Sequence, residues 1–106
     1  MSDKYNELIT RDQMRESDIE RKALFYILAM NQSLYDMVDE IYDFKEHAIK
    51  PSCLKKAKLT SGTRALIKLG FNLYNNRCKT TVYDSFVYLD QRNTKLALEA
   101  IRIRFA

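Results

Sequence analysis

Five stretches of this chain repeat apolar residues at helical spacing, and the clearest starts carry Ser or Thr followed three residues later by an acidic or amide side chain, as in Ser17 with Glu20 and Thr81 with Asp84. Such a pair satisfies the free backbone N–H groups of a helix's first turn. With a 3.6-residue apolar period behind it, it leaves little room for a sheet protein. Only two glycines and one proline interrupt the 106 residues. The expected fold class is therefore all-α: a compact single-domain bundle of about five short helices over residues 1–106.

The first two helices are expected behind Ser17, where Leu24, Ile27 and Leu28 share a face, and behind Ser33, with Leu34, Met37, Val38 and Ile41. Residues 1–16, ahead of the first cap, form a segment that the pattern allows to pack loosely. Pro51 predicts a loop from about Ala48 to Leu59, because it disfavours helical geometry at Lys50 and donates no hydrogen bond. Thr60 or Ser61 then caps a third helix with Leu66, Ile67, Leu69, Leu73 and Tyr74 as its apolar stripe. Gly70 lies inside that stripe at a cost of roughly 1 kcal/mol against alanine, which close packing against another helix would explain. A fourth helix is expected from Thr81 to Leu89 on Val82, Phe86 and Leu89, and a fifth on Leu96, Ala97, Ala100 and Ile101. Residues 80–88 also suit a strand, but a lone strand has no partner, so helix is favoured.

The longest apolar run, Ala23 to Met30, is far too short to cross a bilayer, and the charged start lacks the apolar run of a secretory signal. A cytoplasmic protein with no membrane partner is expected, folding alone or as a homodimer. Cys53 and Cys78 are expected as free thiols in a reducing compartment.

Charge divides the chain. Residues 1–50 carry 7 Lys/Arg against 11 Asp/Glu, whereas residues 51–106 carry 11 against 3. A basic half of this density usually faces an anionic partner. Its candidate binding residues are Lys55, Lys56 and Lys58 before the third helix, Arg64 and Lys68 at i,i+4 spacing on it, and Arg102 and Arg104 near the end, where they also complement the helix dipole. Asp36, Asp39, Glu40, Asp43 and Glu46 form the candidate acidic partner-binding face along the second helix. A divalent cation is a lesser reading of that run than a solvated face.

Catalytic and metal patterns are thin. His47 is the one histidine, and no Ser, Cys or acidic residue stands at a spacing that signals a nucleophile and base. His47, Cys53 and Cys78 match no paired zinc spacing, so no metal and no cofactor is expected. Thr60-Ser61-Gly62-Thr63 reads as a helix cap ahead of an anion cradle, since the GxxxxGK[ST] pattern is absent. A helix-turn-helix built on the last two helices would place Gln91, Arg92, Asn93 and Lys95 at the start of a recognition helix.

Several blocks occur in a particular order: Tyr42-Asp43-Phe44-Lys45-Glu46, Ile49-Lys50-Pro51 with Leu54, Thr60-Ser61-Gly62-Thr63, Phe71-Asn72-Leu73-Tyr74-Asn75, Tyr83 with Phe86, and Ala100-Ile101-Arg102-Ile103-Arg104-Phe105. Over about residues 40–106 this order resembles a family of short, functionally unassigned proteins carried on conjugative elements, plasmids and prophages of Gram-positive bacteria. Lys55 to Leu59 departs from it, being more basic than the corresponding segment in relatives. The resemblance supplies no catalytic residues. It implies a non-enzymatic protein that binds a host or rival nucleoprotein, and an anti-CRISPR inhibitor of a Cas9-type effector or its guide RNA is the leading expectation. The alternative is a small basic regulator of transcription or plasmid maintenance that binds DNA or RNA directly.

Overall fold

The run from Ala23 to Met30 is apolar on every side of a helix, so it has to be covered all round. In the computed structural model, which describes residues 3–13 and 18–106, that run lies in the central helix of an all-α fold. The helices are α1 (Asp3–Arg11), α2 (Ile19–Met30), α3 (Gln32–Asp36), α4 (Val38–Ile41), α5 (Ser61–Asn75), α6 (Val82–Phe86) and α7 (Gln91–Phe105). Ala23, Leu24, Phe25, Ile27, Leu28 and Ala29 of α2 are all buried, and α1, α3, α5 and α7 pack around them. Among the described residues, no helix is long and apolar enough to cross a membrane.

Side-chain caps start most of these helices. Asp18 accepts from the Arg21 N–H of α2, Asn31 from the Leu34 N–H of α3, Thr81 from the Asp84 N–H of α6 and Asp90 from the Asn93 N–H of α7. The cap expected at Ser17 lies outside the described residues. On α5 the cap is reciprocal, with Thr60 and Thr63 each accepting from the other's backbone N–H. Asn76 ends α5 in the left-handed conformation at φ 61°.

Gly70 lies where α5 meets α2. A Cβ there would stand 2.9 Å from Cδ1 of Leu24 and 3.6 Å from Cδ1 of Ile27. Both side chains are fully buried and have little room to move. The glycine thus gives up helix propensity for close approach of the two longest apolar faces.

Four expectations need correction. Residues 3–13 are not loose: α1 packs on α2 through Tyr5 and Leu8, and Tyr35 donates a 2.6 Å hydrogen bond to Glu7. The second expected helix is two, broken at Met37, and the chain then turns into an antiparallel hairpin of β1 (Tyr42–Asp43) and β2 (Ala48–Ile49), with Tyr42 opposite Ile49. Helix cannot continue through Asp43 because its carboxylate accepts from the N–H groups of Lys45 and Glu46, closing a turn. The expected loop after Ala48 holds β2 and a 3-10 turn, Pro51–Lys55. Val82, expected in the core, is 79% exposed, because a helix as short as α6 buries only the side that Ser85 and Phe86 occupy.

Replacing Gly70 with valine is expected to lower stability by roughly 1–3 kcal/mol through overpacking. Urea unfolding monitored by circular dichroism measures it. An unchanged midpoint would mean that α2 and α5 are not held this closely.

Candidate functional site

The seven candidate cations do not form one free patch, because most of them bond within the protein. Lys56 and Lys58 both pair with Glu40, at 3.2 and 2.6 Å. Arg64 donates through Nε to the Leu54 carbonyl and through Nη2 to the Lys56 carbonyl, both at 3.1 Å, and so ties the 3-10 turn and the chain after it to α5. Arg102 is bonded to Glu99, one turn back on α7. Arg104 reaches across to the Leu73 carbonyl at 2.9 Å and approaches Glu20 at 3.9 Å. Only Lys55 and Lys68 make no hydrogen bond or ion pair among the described residues.

The acidic residues are spent in the same way. Asp36 accepts from Gln32, Asp39 pairs with Arg11, and Asp43 closes the hairpin turn. Lys58 and Lys56 hold the Glu40 carboxyl below the usual carboxylate range. Glu46 alone of the five is exposed without such a partner among the described residues. Because α3, α4 and the hairpin replace one long helix, these five carboxylates share no helical side. The acidic and basic segments are neighbours joined at Glu40, not opposed faces.

Asp12 is the buried charge that the sequence did not reveal. Its side chain is fully inaccessible, with His47 Nδ1 at 2.7 Å on one oxygen and the Tyr42 hydroxyl donating at 3.1 Å to the other. Arg21 Nε lies 3.5 Å from the same carboxylate and donates to the Tyr42 oxygen at 3.1 Å, while Nη2 reaches the His47 carbonyl at 3.3 Å. Burial, reinforced by Asp12, pushes the Tyr42 hydroxyl well above its ordinary range. His47 sits at φ 56° in the hairpin turn, so the network pins a left-handed residue to α1 and α2. Through these bonds the carboxylate clasps the hairpin turn to α2.

The two cysteines lie apart from this network. Cys53 is fully buried, and burial pushes its thiol up to about 11. Cys78 is partly buried beside Phe71, Tyr74 and Arg77 in a cavity of about 510 Å³. Among the described residues, no three of His, Cys, Asp and Glu come together as metal ligands.

Part of what the internal bonding leaves free lies at α5 and beside α6. Ser61, Arg64, Ala65 and Lys68 from one side of α5, with Lys79, Thr80, Asp84 and Tyr88, line an open cleft of about 310 Å³. Three cations face one carboxylate there, and neither Lys68 nor Lys79 has an ion pair among the described residues. Beside the cleft, Tyr83 is 72% exposed, Tyr88 64% and Val87 43%. With Val82 they supply four of the seven large hydrophobic side chains exposed among the described residues. Such clustering marks a contact surface more than scattered exposure does. Gly62 helps to shape it, since a Cβ there would stand 3.3 Å from the Tyr88 carbonyl oxygen.

Of these residues, sequence reasoning reached Arg64 and Lys68 and missed Lys79, Tyr83 and Tyr88. A signal was present: Val82, Tyr83, Phe86, Val87, Tyr88 and Leu89 are too many apolar side chains for one short helix to bury on one side. The helix-turn-helix residues fare differently. Gln91, Arg92 and Lys95 border a separate open cleft with Tyr26 and Met30, while Asn93 is held by Asn31 at 3.1 Å. α6 packs mainly on α5, whereas α7 packs on α2 and α5, so α6 and α7 are not the mutually packed pair that the motif needs.

The chain matches the model of a family of unknown function (DUF6075) over residues 1–106 and belongs to that family. No curated protein and no solved structure matches it.

Asp12→Ala is expected to cost roughly 2–4 kcal/mol by stranding three partners, and Tyr42→Phe about 1 kcal/mol. Guanidinium unfolding of both variants checks the order; equal, negligible losses would remove the clasp. A thiol reagent at pH 8 should leave Cys53 unmodified in the folded protein and reach it only after denaturation, counted by mass spectrometry.

Proposed function

We propose that this member of the DUF6075 family is a non-enzymatic interaction protein of a mobile genetic element, which binds a nucleoprotein in the cytoplasm through the face formed by α6 and the adjoining side of α5. The observation that carries the reading is the cluster Val82, Tyr83, Val87 and Tyr88, exposed next to Lys68 and Lys79. Tyrosine is enriched among the residues that dominate binding energy at interfaces, and lysines at a rim steer an anionic partner. A Cas9-type effector with its guide RNA is the specific partner that the sequence resemblance implies.

The reading differs from a basic coat for bare duplex DNA. Of the five cations expected in the loop and on α5, Lys56 and Lys58 are bonded to Glu40 and Arg64 to backbone carbonyls, which leaves Lys55 and Lys68 unpaired among the described residues instead of a broad stripe. Small size and aromatic content suit insertion into a site better than tracking along a helix.

A cleavage assay with purified protein and a panel of Cas9 orthologues tests the specific partner. Inhibition of at least one orthologue is expected, with Tyr83→Ala and Tyr88→Ala each weakening it about tenfold or more. Full cutting throughout at large excess of the protein would discard the Cas9 partner.

A further inference from the structure

We propose that the cleft between α5 and α6 grips a single-stranded segment of nucleic acid, with Arg64, Lys68 and Lys79 on its phosphates and Tyr83 and Tyr88 stacked on its bases. This deepens the preceding reading and rests on it, naming the component of the nucleoprotein that the face holds.

Charge gives the first argument. Within the cleft three cations stand against Asp84 alone, so an anion is favoured there. The three cations differ in how they are held. Arg64 keeps its charge while two backbone carbonyls fix its guanidinium in place. Lys68 and Lys79 have no counter-ion among the described residues, and each remains able to neutralise a phosphate.

Aromatic exposure gives the second. Tyr88 lies on the cleft wall with the cations, and Tyr83, 72% exposed, stands on α6 one residue before the wall residue Asp84. An exposed tyrosine ring gains from stacking on a base whose faces are free, and in a duplex those faces are already taken by neighbouring pairs. Cations combined with aromatic platforms therefore favour a single strand over a duplex. The tolerance of the site follows as well, since every base offers a face to stack on.

Geometry gives the third. Gly62 allows the Tyr88 backbone to lie against the first turn of α5, and the 3.3 Å separation leaves no slack for a side chain there. The Tyr88 backbone is thereby placed at the edge of the cleft, with its side chain 64% exposed. A volume of about 310 Å³ is at the small end of ligand sites, enough for a local segment and too small to enclose a folded partner.

Fluorescence anisotropy of the full chain with labelled oligo-uridine, oligo-deoxythymidine and a matched duplex tests this. Both single strands are expected to bind at least tenfold more tightly than the duplex. The logarithm of the affinity should fall with the logarithm of salt at a slope of about −1.4 to −2, for two or three neutralised phosphates. Tyr83→Ala and Tyr88→Ala should each weaken binding roughly tenfold, Tyr→Phe at either position should retain it, and the double change Lys68→Glu with Lys79→Glu should abolish it. These side chains are at the surface, and unchanged circular dichroism would confirm folded variants. Duplex binding as tight as single-strand binding, insensitivity to the tyrosine changes, or no binding at about 100 μM protein in low salt would each overturn the proposal. If oligonucleotides fail while Tyr83→Ala and Tyr88→Ala still relieve inhibition of an effector, the face takes a protein surface and only this inference falls. If neither readout responds, both readings fall.

Discussion

The contact between α2 and α5 at Gly70 is what the rest of the fold depends on. α2 carries Ala23 to Ala29 buried almost without interruption except at Tyr26, so water must be excluded from nearly its whole circumference. α5 brings the widest apolar stripe, with Ala65, Leu66, Ile67, Leu69, Phe71 and Leu73 buried, and only a residue without a side chain lets the two meet with Leu24 in between. Once that pair is set, α7 and α1 cover what remains of α2, and the short elements between α2 and α5 close the end of the core. α6 packs mainly on α5, and Tyr83 on it and Tyr88 just after it face solvent.

Electrostatics follows from the same packing. A chain with a negative first half and a positive second half invites the picture of two opposed faces. Folding brings the halves into contact instead, and Glu40 between Lys56 and Lys58 is the seam. Arg64 and Arg104 act as clamps on backbone carbonyls across elements, where a planar guanidinium offers several donors at fixed angles. The positive charge available to a partner is consequently smaller than the composition suggests, and Lys68 and Lys79 supply part of it beside α6.

The buried carboxylate of Asp12 plays a comparable part just after α1. It collects the Tyr42 hydroxyl and His47 from the hairpin and Arg21 from α2, so the end of α1, α2 and the hairpin are registered against one another. Phe25, Tyr42 and Phe44 add edge and stacked ring contacts at 5.0 to 5.8 Å around the same place. Nothing in the spacing of these residues marks them as partners, since 30 to 35 positions separate Asp12 from Tyr42 and His47.

The sequence by itself determined the helical class, most of the core and several helix starts. Leu24, Ile27, Leu28, Leu34, Val38, Ile41, Leu66, Ile67, Leu69, Leu73, Leu96, Ala97 and Ala100 are buried where helical spacing places them, because that spacing and its caps act within a few residues of chain. The break at Met37, the hairpin at Tyr42, the docking of α1 and the exposure of Tyr83 and Tyr88 were decided by tertiary structure. Each depends on which surfaces are already occupied when a short segment arrives, and on partners far away in sequence. The candidate site shares that origin: charge counted along the chain locates Lys68, but only packing decides which cations are spent inside and which remain to meet a partner.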